Sequence, residues 1–174
     1  TIAQPMQKAA IPANEQQRLA HLQNLKIFDT PSDEKFNRIT RLLCRILDMP
    51  VAAISLVDEN RQWFKSIRGS DLTETPRCVS FCAHTILEDR TLVIPDTLSD
   101  PRFADSPLVL GAPHVRFYAG HPLKILDNIH VGTLCVYDTK PREMSDDDVQ
   151  FLEDLAITVA NELKAHMLKI LFTV

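Results

Sequence analysis

Residues 51–67 read VAAISLVDENRQWFKSI, and this stretch decides which class of fold to expect. The apolar run 51–58 has the length and composition of a buried β-strand, and RQWFKSI (61–67) resembles a second strand. Glu59 and Asn60 form a short polar turn between the two. The stretch therefore predicts a β-hairpin, in which neighbouring strands run antiparallel.

A second hairpin is predicted further along the chain. VRFYAGHPL (115–123) and HVGTLCVYD (130–138) are two strand candidates, and a turn containing Asp127 and Asn128 joins them. A shorter strand is predicted from TLVIPD (91–96). Because most of these strands follow one another through tight turns, we expect a central, mostly antiparallel sheet of about five to six strands.

Helical patterns flank these strands. Apolar residues recur at near-helical spacing after Glu15, and a second amphipathic helix is predicted between Ser32 and Pro50. A long helix (about 145–171) follows the last strand, with Ser145 as its N-cap. The predicted fold class is therefore α+β, with the terminal helices packed on the sheet.

Composition limits the domain count and the kinds of partner. The chain has 174 residues, of which 45% are hydrophobic and 24% charged, which is typical of one globular domain. We expect a flexible leader (1–14) followed by a single domain (15–170). The formal charge of −4 argues against nucleic acid as a partner. The chain shows neither a secretory signal nor a membrane-spanning apolar run, so we expect a cytoplasmic protein without membrane contact.

Several blocks of the sequence, in order, resemble a GAF domain of the bacterial signalling type. The similarity covers roughly residues 18–167 and is carried by VAAISLVDENRQWFKS, VSFCAHTIL, LVIPDTLSDPRFADSPLV, VRFYAGHPL and VGTLCVYDTKPREMS. The resemblance implies a central antiparallel sheet with helices from both chain ends on one face. On the other face, it implies that short helices and loops enclose a pocket for a small molecule.

The resemblance also implies a role in regulation. GAF domains of this type commonly precede a histidine kinase, a diguanylate cyclase or another output domain, and we expect such an output outside this chain. We expect the domain to sense a small molecule and to relay its state through the terminal helices, without being an enzyme itself. The sequence predicts neither the identity of that ligand nor any cofactor.

Eight residues are candidates for contact with the ligand. Alternation along the strand from residue 116 places Arg116, Tyr118 and Gly120 on one face, and we expect that face to border the pocket. An alternative is that Arg116 pairs with Asp96 or with Asp100 to fix the loop. The predicted ligand-binding residues are Phe81, Cys82, Asp96, Arg102, Phe103, Arg116, Tyr118 and Gly120.

The stretch VSFCAHTI (79–86) raises the question of thiol or metal chemistry. Cys78 and Cys82 would share one face of a helix, whereas His84 would point elsewhere, so we expect neither a metal site nor a catalytic residue here. The sequence around the two thiols does not resemble the bilin-binding blocks of phytochromes. The strongest enzymatic alternative is a thiol-dependent enzyme of the free methionine sulfoxide reductase type, although the cysteine placement differs from that lineage.

The C-terminal helix predicts a contact between subunits. Its apolar residues follow a spacing of three or four. They could pack on the domain's own sheet, or they could form the interface of a homodimer together with the N-terminal helix. A ligand-free dimerisation module is therefore a further alternative. The stripe consists of Leu152, Leu155, Val159, Leu163, Met167 and Ile170.

Overall fold

The computed structural model describes residues 7–172 and contains one sheet of six strands. All neighbouring strands pair antiparallel, which confirms the predicted sheet and both hairpins. Across the sheet the order is β3 (Glu74–Pro76), β2 (Arg61–Arg68), β1 (Val51–Val57), β6 (Ile129–Asp138), β5 (Phe117–Leu126) and β4 (Leu92–Ile94).

Three long helices come from the two ends of the chain, as predicted. They are α1 (Glu15–Asn24), α2 (Glu34–Leu47) and α5 (Asp146–Phe172). The N-cap of α2 is Asp33, whose side chain accepts a hydrogen bond from the Lys35 amide. Ser145 caps α5 as predicted, with its hydroxyl 3.1 Å from the Asp148 amide nitrogen.

The sheet is buried on both faces, and each face has its own core. Because successive strand residues point to opposite sides, Phe117 and Ala119 belong to the core beneath the helices, whereas Tyr118 belongs to the opposite core. Cys135 shares the second core with Tyr118, while its neighbour Leu134 lies in the first. The alternation therefore places Tyr118 correctly on the face opposite the long helices.

Short elements cover the second face. The stretch 79–86, in which a helix was expected to place Cys78 and Cys82 on one face, is helical only in α3 (Cys82–Thr85), after a 3₁₀ turn at Arg77–Val79. The long loop between β4 and β5 (residues 95–116) contains a second 3₁₀ turn (Thr97–Ser99) and α4 (Pro107–Leu110). Because the chain is extended at Ser80, between the 3₁₀ turn and α3, Cys78 is exposed while Cys82 is buried, and the two thiols do not share a helix face.

The stripe predicted on α5 packs mainly on the domain's own sheet. Leu152, Val159 and Leu163 are fully buried there, so they are not available for a contact between subunits. The exposed apolar residues of α5 are Ile157, Leu168, Leu171 and Phe172.

The predicted leader is described only from residue 7 onward. The Gln7 amide donates a hydrogen bond to the Arg102 carbonyl, and the Asn14 side chain donates one to the Asn128 carbonyl. Residues 1–6 lie outside the described residues. The flexibility of the leader and the domain bounds stay predictions.

Candidate functional site

A small cavity lies between the second face of the sheet and the short elements that cover it. The space open to the centre of a water molecule within it measures about 40 Å³. Apolar and aromatic side chains form most of the wall, together with a few hydroxyl, thiol and amide groups. The lining consists of Gln62, Phe64, Leu72, Thr75, Ser80, Phe81, Cys82, Leu108, Pro113, Val115, Tyr118, Cys135 and Tyr137.

Cys82 is the centre of a buried polar network at one end of the cavity. Its Sγ lies 3.0 Å from Thr133 Oγ1 and 3.3 Å from Tyr118 Oη, and both hydroxyls donate to the sulfur. The network continues from Tyr118 Oη to Thr85 Oγ1 at 2.8 Å and from Thr133 Oγ1 to Ser55 Oγ, also at 2.8 Å. Each of these side chains therefore has a partner, as buried polar groups require.

The two buried thiols of this network have opposite pKa shifts. Burial raises the pKa of Cys82, but interactions with Cys135, Ser55, Thr133 and Tyr118 outweigh it and lower the pKa to about 6. Cys135 Sγ lies 3.9 Å from Cys82 Sγ, and its hydrogen bond to Cys82, together with burial, raises the pKa of Cys135. If one group of the network ionises, it is therefore Cys82.

Aromatic stacking holds the α3 segment over the sheet. The Phe81 ring lies between two others, with its centroid 4.8 Å from that of Phe103 and 5.2 Å from that of Tyr118. Phe81, Cys82 and Tyr118 line the cavity, and Phe103 is buried directly behind Phe81. The structure thus brings four of the eight predicted ligand-binding residues together.

The other four predicted residues do not line the cavity. Asp96 caps the 3₁₀ turn that follows it, and Arg102 forms an ion pair with Asp100 at 2.8 Å. Arg116 donates to the Val109 carbonyl at 2.6 Å, so its partner is neither Asp96 nor Asp100 among the described residues. Gly120 makes room for the Tyr118 ring. Ligand contact by these residues stays a prediction.

Several lining residues were missed at the sequence level. Thr75 lies on β3, a strand that is not among the predicted ones, so no alternation pattern was applied to it. Tyr137 lies two residues after Cys135 on β6, and strand alternation could have placed both on the pocket face. Leu108 and Pro113 come from the long loop, where no regular pattern indicates direction.

An ion pair connects the cavity wall to α1. Arg77 starts the segment that leads to Phe81 and Cys82, and its guanidinium forms a hydrogen-bonded ion pair with Glu15, the first residue of α1. Glu15 also binds Arg18 at 2.8 Å, and Arg18 donates to the Val57 carbonyl at 2.6 Å. Burial raises the pKa of Glu15, but the two arginines together lower it to about 2.

A family model for the GAF domain matches residues 31–163, which is most of the chain. The chain belongs to the GAF domain family. The two-sided sheet and the enclosed cavity of this GAF domain agree with that assignment.

Solved structures of other proteins share the fold. The GAF domain of a phosphoenolpyruvate-protein phosphotransferase from Coxiella burnetii has a TM-score of 0.67 at 15% identity, over 90% of this chain and 98% of that one. The free methionine-R-sulfoxide reductase of Neisseria meningitidis has a TM-score of 0.61 at 17% identity, over 94% and 97%. At such identities, the likeness extends to the fold alone.

A curated relative corrects one expectation from the sequence. A cyclic di-GMP phosphodiesterase of Pseudomonas aeruginosa is 40% identical to this GAF domain over 146 residues, or 83% of the chain. That relative is an enzyme, so the expectation that the protein is not an enzyme is wrong. The chain spans about a quarter of the length of the relative.

Proposed function

We propose that this GAF domain is the regulatory sensor of a signalling enzyme that hydrolyses cyclic di-GMP. A small molecule in the cavity sets the position of the Phe81–Cys82 segment, and the terminal helices pass this state to the catalytic part of the enzyme. The observation that carries the proposal is the ion pair between Arg77 and Glu15, because it joins α1 to the segment that leads into the cavity wall at Ser80. The cytoplasmic location stays a prediction.

Further contacts support a relay through both ends of the chain. The Leu25 carbonyl, directly after α1, lies 2.8 Å from His166 Nε2 on α5. If α1 moves together with Arg77, the hydrogen bond between Leu25 and His166 would therefore transmit the movement to α5. A ligand changes the balance between two helix arrangements only if it binds the two arrangements with different affinity. We expect this difference in affinity to arise at the Arg77–Glu15 ion pair.

A homodimer through the terminal helices is part of the proposal. The exposed apolar residues at the end of α5 are Leu168, Leu171 and Phe172, and they offer a surface that a second copy would cover. In a dimer, the α5 helices of the two copies would move together and transmit one signal.

A ligand-free dimerisation module is a second candidate, and the size of the cavity favours it. Ligand pockets commonly measure about 300–1,000 Å³, and this cavity is far smaller. In that case the side chains of the domain fill most of the pocket themselves.

One experiment separates the two candidates. This chain replaces the matching segment of the Pseudomonas aeruginosa phosphodiesterase, and cyclic di-GMP hydrolysis is measured. Leu108→Trp adds an indole at the cavity wall, and Leu110→Trp makes the same change at an exposed position of the same short helix. We expect Leu108→Trp alone to change the rate several-fold. Equal rates in both variants and in the unmodified chimera would favour the dimerisation module.

A further inference from the structure

We infer that the cavity binds a small, uncharged and mainly apolar molecule with one hydrogen-bonding group, and that it excludes cyclic di-GMP and other phosphate-bearing ligands. This inference rests on the proposed sensor function and names the ligand class of the same site. It separates the molecule that is sensed from the nucleotide that the related enzyme hydrolyses.

The charge of the lining argues against a phosphate ligand. None of the lining residues in the described part of the chain is a lysine, arginine, histidine, aspartate or glutamate. A buried phosphate needs cationic or strong N–H partners, and leaving it without them costs several kcal/mol or more. Cys82, the lining thiol with a lowered pKa, carries negative charge when it ionises and would repel an anion.

Arginines on the segments that surround the cavity have other partners, and Arg61, next to the lining residue Gln62, pairs with Asp29 at 2.9 Å. Arg77 binds Glu15, Arg102 binds Asp100, and Arg116 donates to the Val109 carbonyl. Moving any of them into the cavity would break a contact that holds α1 or the long loop. The guanidinium groups of these arginines are therefore not available to a phosphate in the cavity.

Two hydroxyl groups of the lining point to a ligand with a polar group. Thr75 Oγ1 and Tyr137 Oη are both buried without a hydrogen-bond partner. Burial raises the pKa of Tyr137 and the nearby Ser70 opposes this, so Thr75 is the clearer of the two unpaired hydroxyls. Leaving a buried hydroxyl unpaired is unfavourable, and a hydroxyl or carbonyl group on a ligand would supply the missing hydrogen-bond partner.

The apolar part of the cavity wall and the volume of the cavity indicate the size and polarity of the rest of the ligand. Among the lining residues, Phe64, Leu72 and Leu108 are partly exposed, whereas Cys82 and Tyr118 are buried. The open space of about 40 Å³ is roughly three times what one water molecule needs. A body of several apolar atoms, such as one aromatic ring, matches this wall.

Phenol is the probe for this class, because it combines one ring with one hydroxyl. Binding to the intact chain is measured by isothermal titration calorimetry, with benzene, benzoate and cyclic di-GMP as comparison ligands. Thr75→Val removes the unpaired hydroxyl, and Thr73→Val makes the same change at an exposed residue outside the cavity. A hydrogen bond of about 1 kcal/mol corresponds to roughly a fivefold change in Kd.

We expect saturable phenol binding at millimolar concentration. Thr75→Val should weaken phenol about fivefold and leave benzene unchanged, while Thr73→Val should change neither. Neither benzoate nor cyclic di-GMP should displace phenol.

Displacement of phenol by cyclic di-GMP or benzoate would overturn the ligand class, and so would the absence of saturable phenol binding. The chimera with Leu108→Trp contains no added ligand. Its result therefore tests the sensor function independently of the ligand class.

Discussion

The side chain of Tyr118 occupies the space above Gly120, two residues further along the same strand. A Cβ on Gly120 would lie 2.8 Å from Tyr118 Cζ and closer still to the hydroxyl oxygen. The ring cannot move away without cost, because its hydroxyl binds both Thr85 and Cys82. Glycine at position 120 therefore fixes the place of the cavity's central tyrosine.

This relationship predicts the effect of Gly120→Ala. The added methyl group should displace Tyr118 and destabilise the fold by about 1–3 kcal/mol, as for other overpacked cores. The same substitution should cost less in a Tyr118→Phe background, because the closest atom, the hydroxyl oxygen, is then missing. Urea denaturation of the wild type, both single variants and the double variant measures the coupling. Equal costs of Gly120→Ala in both backgrounds would show that the hydroxyl is not the obstacle.

Glu15 should make stability depend on acid pH. Its folded pKa of about 2 lies below the ordinary value of 4.5, so the group stabilises the fold fully above about pH 4.5 and loses this contribution as pH falls toward 2. Glu15→Gln should therefore lower the free energy of unfolding at pH 7 by about 1–2 kcal/mol, allowing for partial screening by solvent. The difference from wild type should shrink on acidification.

The matched control for Glu15 is Glu34→Gln. Glu34 also pairs with an arginine, Arg41, but its side chain is 59% exposed. Exposed ion pairs contribute little, so this variant should remain close to wild type at every pH. A similar loss in both variants would contradict a special role of the Glu15–Arg77 pair.

The four cysteines should differ in their rate of alkylation. Cys78 is exposed, whereas Cys82 and Cys135 are buried and Cys44 lies between these extremes. With iodoacetamide under native conditions, Cys78 should react first, and Cys82 should react only when the cavity opens. Peptide mass spectrometry over time resolves the four sites. Reaction of Cys82 as fast as Cys78 would mean an open thiol and would support the thiol-dependent enzyme instead.

Substitution of two leucines on α5 should distinguish an effect on folding from an effect on dimer formation. Leu163 is fully buried on the sheet, so Leu163→Glu should lower the melting temperature strongly. Leu171 is 66% exposed, and Leu171→Glu should leave the melting temperature nearly unchanged while converting the proposed dimer to monomer. Light scattering after size-exclusion chromatography gives the molecular mass. A dimer that persists in Leu171→Glu would place the contact elsewhere.

The sequence predicted the scaffold better than the site, for physical reasons. Strand alternation is a local pattern, so it correctly separated Tyr118 from Phe117. Phe81 and Cys82 lie outside the strands and were predicted instead from their position beside the pocket that the family resemblance implies. The three residues of β3 are too few for a pattern, which hid Thr75. Arg116 suited a polar ligand by its charge, but it donates to the Val109 carbonyl, a contact that depends on how the loop folds and that the sequence does not reveal. Arg102 pairs with Asp100, only two residues away.

The most direct test of the central claim, that the cavity acts on the terminal helices, is hydrogen–deuterium exchange of the chain itself. Wild type, Leu108→Trp and the control Leu110→Trp are compared over α1 and α5. We expect Leu108→Trp alone to change amide protection in α1, through Arg77 and Glu15, and in the part of α5 around His166. Unchanged exchange in both helices, with a change confined to the cavity wall, would contradict it.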